Sequence, residues 1–143
     1  MRNRFLYTIK DKKEFAEKLV FWAKKFKYSC FLDSNPQIQK MPIAYSQYEF
    51  LFALGANKIC CSNKDSFENL KVFHNRYKDW MFGYFSYDLK NETDTLTSEN
   101  MDNLYFPNLF FFIPEIVFSM KNKVLYVDTF SNKKETDIII DEI

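Results

Sequence analysis

Residues Trp80-Met81-Phe82-Gly83-Tyr84-Phe85-Ser86-Tyr87-Asp88-Leu89-Lys90-Asn91 hold one of the two glycines in a chain of 143 residues. The glycine lies inside an aromatic run that ends at Tyr87-Asp88. A chain so poor in glycine places one where a side chain would not fit, at a tight turn or a close backbone contact. Trp80 to Tyr87 reads as a strand. Tyr87 to Glu92 has the character of a turn or short helix, and Thr93 to Asn103 that of an exposed, mobile polar loop.

Upstream, Phe5 to Ile9 reads as a short strand. Asp11 with Glu14 three residues on marks a helix start. Phe15, Leu19, Trp22 and Phe26 recur at helical spacing with lysines on the flanks, which predicts an amphipathic helix of about four turns. Tyr28 to Asp33 is a strand, broken by Ser34-Asn35-Pro36, and a polar stretch runs to Pro42. Tyr45 to Leu54 is a strand with Tyr48, Phe50 and Phe52 on one face. Gly55-Ala56-Asn57 is a turn and Lys58 to Ser62 a fourth strand. Asp65 with Glu68 opens a second helix, on which Phe67, Leu70, His74 and Tyr77 share a face beside Phe73.

Downstream, Phe110 to Met120 and Lys123 to Phe130 read as a hairpin around Lys121-Asn122. Pro107 and Pro114 belong at an edge, a strand end or a bulge, because proline cannot donate to a ladder. Ser131 to Glu135 is linker-like. Ile138 to Ile143 then form an apolar run that needs somewhere to be buried.

Composition narrows the function classes. Hydrophobic residues make up 47% and charged residues 27%. No apolar run approaches the ~18 to 20 residues that span a bilayer, and no apolar segment follows the charged N-terminus. The expectation is a cytoplasmic protein without a membrane partner. Net charge is +1, so nothing electrostatic points to nucleic acid. The run before Gly83 also lacks the basic residue of an RNA-recognition strand. Cys30, Cys60 and Cys61 form no disulfide framework, and with one histidine they offer no zinc set. His74 reads as a half-buried structural histidine. A Cys60 or Cys61 nucleophile with His74 is the one hydrolase-like pairing that composition allows.

Gly83-Tyr84-x-Ser86-Tyr87-Asp88 resembles a signature of the N-terminal domain of aminodeoxychorismate synthase component I and of its relative, anthranilate synthase component I. Phe31-Leu32-Asp33-Ser34 is similar to the Leu-Leu-Glu-Ser segment of that domain. Phe106-Pro107-Asn108-Leu109 and Phe111-Phe112-x-Pro114-Glu115 resemble its following strand pair. Leu89-Lys90-Asn91-Glu92 is most similar to the aminodeoxychorismate branch, with the anthranilate branch left open. Asp79-Trp80 stands where the family often has a glycine pair, and Asp33 where it has glutamate.

The resemblance implies an α+β fold of mostly antiparallel sheets packed as a sandwich, with two main amphipathic helices. It implies a family domain over residues 1–130, then a linker and the start of a chorismate-binding domain at 131–143. It assigns no catalytic residue, metal or cofactor to this chain. Chorismate and Mg²⁺ belong to the C-terminal domain of the parent enzyme, which makes 4-amino-4-deoxychorismate for p-aminobenzoate and folate with ammonia from a glutamine amidotransferase. In regulated members the positions of Leu32, Asp33 and Ser34 line a tryptophan pocket. A stand-alone module binding an aromatic amino acid is the alternative from a different class.

Overall fold

In the computed structural model, residues 1–34, 47–93 and 105–143 are described. Of the sequence readings, Asn35-Pro36, the polar stretch to Pro42, the opening of the Tyr45 strand and the loop over 94–103 lie outside them. The fold is α+β, with two antiparallel sheets. The chain forms two compact units, residues 1–55 with 115–143, and residues 56–114.

The first unit is built on five strands: β1 (Asn3–Thr8), β2 (Ser29–Asp33), β3 (Phe50–Leu54), β7 (Ile116–Lys121) and β8 (Val124–Thr129). Their order is β1-β8-β7-β3-β2, every pair antiparallel. Alternation puts Phe50, Phe52, Leu54, Ile116, Phe118, Met120, Leu125 and Val127 on one face, and all are buried. Helix α1 (Lys12–Trp22) lays the predicted stripe on this face, with Phe15, Leu19 and Trp22 buried. Asp11 caps it, its carboxylate accepting from the Glu14 N–H at 3.0 Å. Fully burying a Leu- or Phe-sized side chain contributes about 1.5–3 kcal/mol, so this layer dominates the unit's stability.

Ser131 to Glu135, read as linker-like, instead leads into a helix. Asn132 and Glu135 form a reciprocal capping box that opens helix α3 (Lys133–Glu142). Ile139, Ile140 and Ile143 pack against the core, which gives the apolar run its burial site within this unit. Polar clasps hold the helix there. Tyr7 Oη donates to Asp137 at 2.7 Å, and Lys133 bonds both groups. The Trp22 indole N–H and the Lys25 ammonium both donate to Glu142. The described residues thus hold three α-helices where two were expected.

The second unit has a three-stranded sheet in the order β4-β6-β5, made of β4 (Lys58–Ser62), β5 (Phe82–Phe85) and β6 (Leu109–Ile113). Helix α2 (Ser66–Tyr77) joins the first two strands. Its expected capping box does not form. Asp65 has a left-handed backbone, φ 50°, and its side chain makes no cap. Glu92, from the 3₁₀ turn Tyr87–Glu92, takes that role from outside the helix.

The predicted hairpin also needs correction. Pro114 ends one strand, so Phe110 to Met120 divides into β6 and β7, which belong to different sheets. The true hairpin is β7–β8, closed by Asn122-Lys123 with φ of 51° and 64°. Positive φ at both central residues is the type I′ geometry that suits a two-residue hairpin.

Gly83 faces Phe111 in the β5–β6 ladder. A Cβ built there would lie 2.0 Å from the Phe110 carbonyl oxygen and 2.6 Å from the Phe111 Cα. Both are backbone atoms of the neighbouring strand, so no rotamer change makes room. Gly83→Ala is expected to lower unfolding free energy in urea by about 3 kcal/mol or more. A loss below about 0.5 kcal/mol, the scale of an ordinary surface substitution, would contradict the close approach.

Candidate functional site

Two groups of residues carry the functional reading, one in each unit. In the first unit, β2 ends at Asp33 and the chain stays pinned to the neighbouring strand. The Ser34 N–H donates to the Glu49 carbonyl at 3.1 Å, and Ser34 Oγ donates to the Tyr48 carbonyl at 2.5 Å. Leu32, Asp33 and Ser34 line one groove of 210 Å³ with Tyr48, Phe50 and Leu51. By the strand register, Asp33 lies opposite Phe50 and Leu32 opposite Leu51. They therefore project to opposite faces of the sheet and meet the groove only at the strand end.

Asp33 and Phe50 also line a second groove of 560 Å³ against α1. Its floor is apolar, from Ala16, Val20 and Phe31, and its rim carries Lys12, Lys13 and Glu17. Phe31 packs on Phe50 and Phe52 with centroids at 6.0 and 5.0 Å. Lys12 bonds Glu49 at 2.9 Å. That bond, with backbone donors from Lys123 and Asn122, holds the Glu49 carboxyl below the usual glutamate range against the opposing effect of burial.

In the second unit the signature residues take separate tasks. Gly83 admits the neighbouring backbone. The Tyr84 ring stacks on Phe110 at 5.9 Å and meets Phe106 edge-on at 6.0 Å. Burial, then the neighbouring Cys61, pushes its phenol above the ordinary value. The Ser86 N–H donates to the Asn108 carbonyl at 2.8 Å, while Ser86 Oγ is buried without a partner among the described residues. Tyr87 is 81% exposed, its ring under the Lys90 ammonium at 3.9 Å. Asp88 lies in the first turn of the 3₁₀ segment that ends at Glu92.

The Cys–His pairing gains nothing from the geometry. His74 is exposed rather than half-buried, because α2 turns only Ser66 fully inward. Burial raises the Cys60 thiol, with Cys61 adding to the shift. A raised thiol is the opposite of an activated nucleophile. Among the described residues, no hydrogen bond joins His74 to either cysteine.

The residue that sequence reasoning missed is Glu92. Its carboxylate accepts from the Ser66 N–H at 2.7 Å and from Ser66 Oγ at 2.5 Å. A carboxylate at a helix N-terminus is also favoured by the helix dipole. No local spacing relates residues 66 and 92, so no periodicity could have shown it. Among the described residues, no helix is long and apolar enough to cross a membrane. No family model matches the chain, and no curated protein matches it.

Glu92 supplies a pH test. The Ser66 hydroxyl holds its folded pKa below the ordinary 4.5 against the opposing effect of burial, and the Ser66 N–H and the Asn108 side chain add to the lowering. A depressed carboxylate pKa stabilises the fold in full above the unfolded value. That contribution is lost as pH falls through the folded value. Wild type should therefore melt above Glu92→Gln at pH 7, with the gap closing as pH drops below 4.5. A gap that stays constant down to pH 3 would mean that the carboxylate charge does not hold α2.

Proposed function

We propose that this chain is the scaffold and regulatory domain of a cytoplasmic chorismate-aminating synthase of the aminodeoxychorismate type, with no reaction of its own. The observation that carries the reading is Gly83. The glycine of the Gly-Tyr-x-Ser-Tyr-Asp signature sits where the neighbouring backbone excludes any side chain. The motif's spacing therefore answers to a physical constraint, and chance composition is a poorer account of it. The other similar segments support the reading by their places in the chain. Phe31 to Ser34 forms a strand and its end, and Leu109 to Glu115 forms the strand beside Gly83 and its proline stop.

On this reading chorismate and Mg²⁺ are held by a C-terminal chorismate-binding domain of the same polypeptide, and ammonia comes from a glutamine amidotransferase subunit. This chain supplies the support and a place for tryptophan at Leu32, Asp33 and Ser34. The Asp33 carboxylate suits an ammonium group. Ser34 Oγ, although donating to Tyr48, keeps lone pairs that accept. The sharing of Asp33 and Phe50 by two grooves favours a second reading as well, a stand-alone module for an aromatic amino acid. It places the ammonium at the rim and the ring on Phe31 and Phe50.

Produced together with the chorismate-binding domain, the chain should co-elute with it and support conversion of chorismate and ammonia to 4-amino-4-deoxychorismate. The chain alone should give no product. Turnover by the chain alone, or failure to form the complex, contradicts the scaffold role. For the regulatory role, millimolar tryptophan should raise the melting temperature, increasingly so as its concentration exceeds Kd. Ser34→Ala should shrink that rise. An unchanged melting temperature would remove tryptophan from the account.

A further inference from the structure

Strand β2 ends the larger sheet. It pairs with β3 on one side, and the order β1-β8-β7-β3-β2 gives it no neighbour among the described strands on the other. The Ser34 N–H donates to the Glu49 carbonyl, and the Gly55 N–H donates to the Tyr28 carbonyl. Opposed residues of an antiparallel ladder alternate between hydrogen-bonded and open pairs. Tyr28, Cys30, Leu32 and Ser34 therefore turn their backbone groups toward β3, and Ser29, Phe31 and Asp33 turn theirs to the outer edge. Ser29, Phe31, Leu32 and Asp33 are exposed, Phe31 by 37% and Leu32 by 52%.

Edge strands are ordinarily guarded by lysine, proline, a bulge or a covering element. Ser29-Cys30-Phe31-Leu32-Asp33 contains no lysine or proline, and its register on β3 runs without a bulge. The opposite edge, β1, carries Arg4. The outward-facing residues of β2 are also symmetric about Phe31. A second β2 laid antiparallel, with Phe31 opposite Phe31, sets Ser29 opposite Asp33 and Cys30 opposite Leu32. Two-fold symmetry repeats both pairs. The edge groups of Ser29, Phe31 and Asp33 then face one another as hydrogen-bonded pairs, and Cys30 with Leu32 forms the open pairs between them.

We propose that β2 is a homodimer interface, through which two copies of this chain join edge to edge about Phe31 into one continuous sheet. Self-complementarity selects the occupant. The Ser29 hydroxyl meets the carboxylate of the partner's Asp33, Cys30 meets the partner's Leu32, and no like charges oppose each other along the ladder. Residues opposite Ser29, Phe31 and Asp33 project to the α1 side of the sheet. The partner's Phe31 therefore enters the 560 Å³ groove floored by Ala16, Val20 and Phe31. Lys12 and Lys13 balance Glu17 and Asp33 on that groove's rim, so it has no net charge to repel a second copy. A ladder this short falls below the roughly 20–30 residues a side of a standard interface, so the dimer is reversible and concentration-dependent. The pairing does not depend on the proposed function. An aromatic amino acid in the groove would compete with the partner's ring, so the dimer is measured without tryptophan.

The test is sedimentation equilibrium of the whole chain, whose mass should rise from monomer toward dimer between about 0.01 and 1 mM. Ser29→Asp sets like charges opposite at both ends of the ladder and should weaken the dimer about threefold or more, whereas Ser29→Lys, facing the partner's Asp33, should strengthen it. Ser29 is exposed, and circular dichroism checks that both variants fold. The register has its own readout. Open antiparallel pairs bring Cα atoms to about 4.5 Å, within disulfide range. In Leu32→Cys, oxidation of two thiols by diamide should link the introduced thiol to the partner's Cys30 and give a dimer band on a non-reducing gel. Adding Cys30→Ser should abolish that band. The inference is overturned by a monomer at about 1 mM, by assemblies that grow past the dimer, by equal effects of the two Ser29 variants, or by a cross-link that survives Cys30→Ser.

Discussion

The passage of the chain out of its first sheet and back into it constrains everything else. The peptide leaves at Leu54-Gly55 and returns at Glu115-Ile116. The Glu115 N–H donates to the Leu54 carbonyl at 2.9 Å, which locks the register of β3 on β7. Gly55 has φ of 70°, and a Cβ there would meet the Glu115 carboxyl carbon at 2.6 Å. The Gly55 N–H is itself taken by the Tyr28 carbonyl, which ties β2 to the same point. Because β3 and β7 are central strands, Phe52, Leu54, Ile116 and Phe118 can join one buried layer only if this crossing holds. β3 and β7 stay paired from Phe50–Met120 to Leu54–Ile116, although 61 residues of sequence separate Leu54 from Ile116.

Both glycines of the chain are thus spent on backbone geometry. Gly55 permits a left-handed turn, and Gly83 permits a neighbouring strand to approach where a methyl would collide. A composition biased against glycine makes such positions legible: its scarcity points to a tight turn or a close backbone contact at Gly83, and the ladder beside Phe111 makes it the close contact. The α1 stripe was legible for a related reason. Its period matches one buried face, and Asp11 with Glu14 marks its start. The strands at Asp33, Leu54 and Ser62 were bounded correctly by polar and turn residues.

What stayed hidden depended on partners distant in sequence or on signals passed over. Glu92 caps α2 from 26 residues away, so Asp65 and Glu68 suggested a local box that tertiary structure replaced. The continuous apolar run from Phe110 to Met120 concealed a change of sheet that only Pro114 betrays. Asn132-Lys133-Lys134-Glu135 is a capping box as clear as the one at Asp11, and the lysines around it disguised it as a linker. At the candidate site the strand end at Ser34 was legible, but the hydrogen bond to Tyr48 and the groove against α1 needed the fold. His74 was placed by helical period on a face that α2 leaves to solvent.

Among the described residues, Glu142 bonds Trp22 and Lys25, Glu92 bonds Ser66, and Asp128 bonds Arg4, contacts that hold elements in place and support the proposed scaffold role. The central claim is that such a scaffold serves a chorismate-binding domain on the same polypeptide. The most direct measurement is the reading frame of the source DNA beyond the codon for Ile143. The account predicts that it continues in frame into a chorismate-binding domain. A stop codon immediately after Ile143 would contradict it and leave the aromatic amino acid module as the standing explanation.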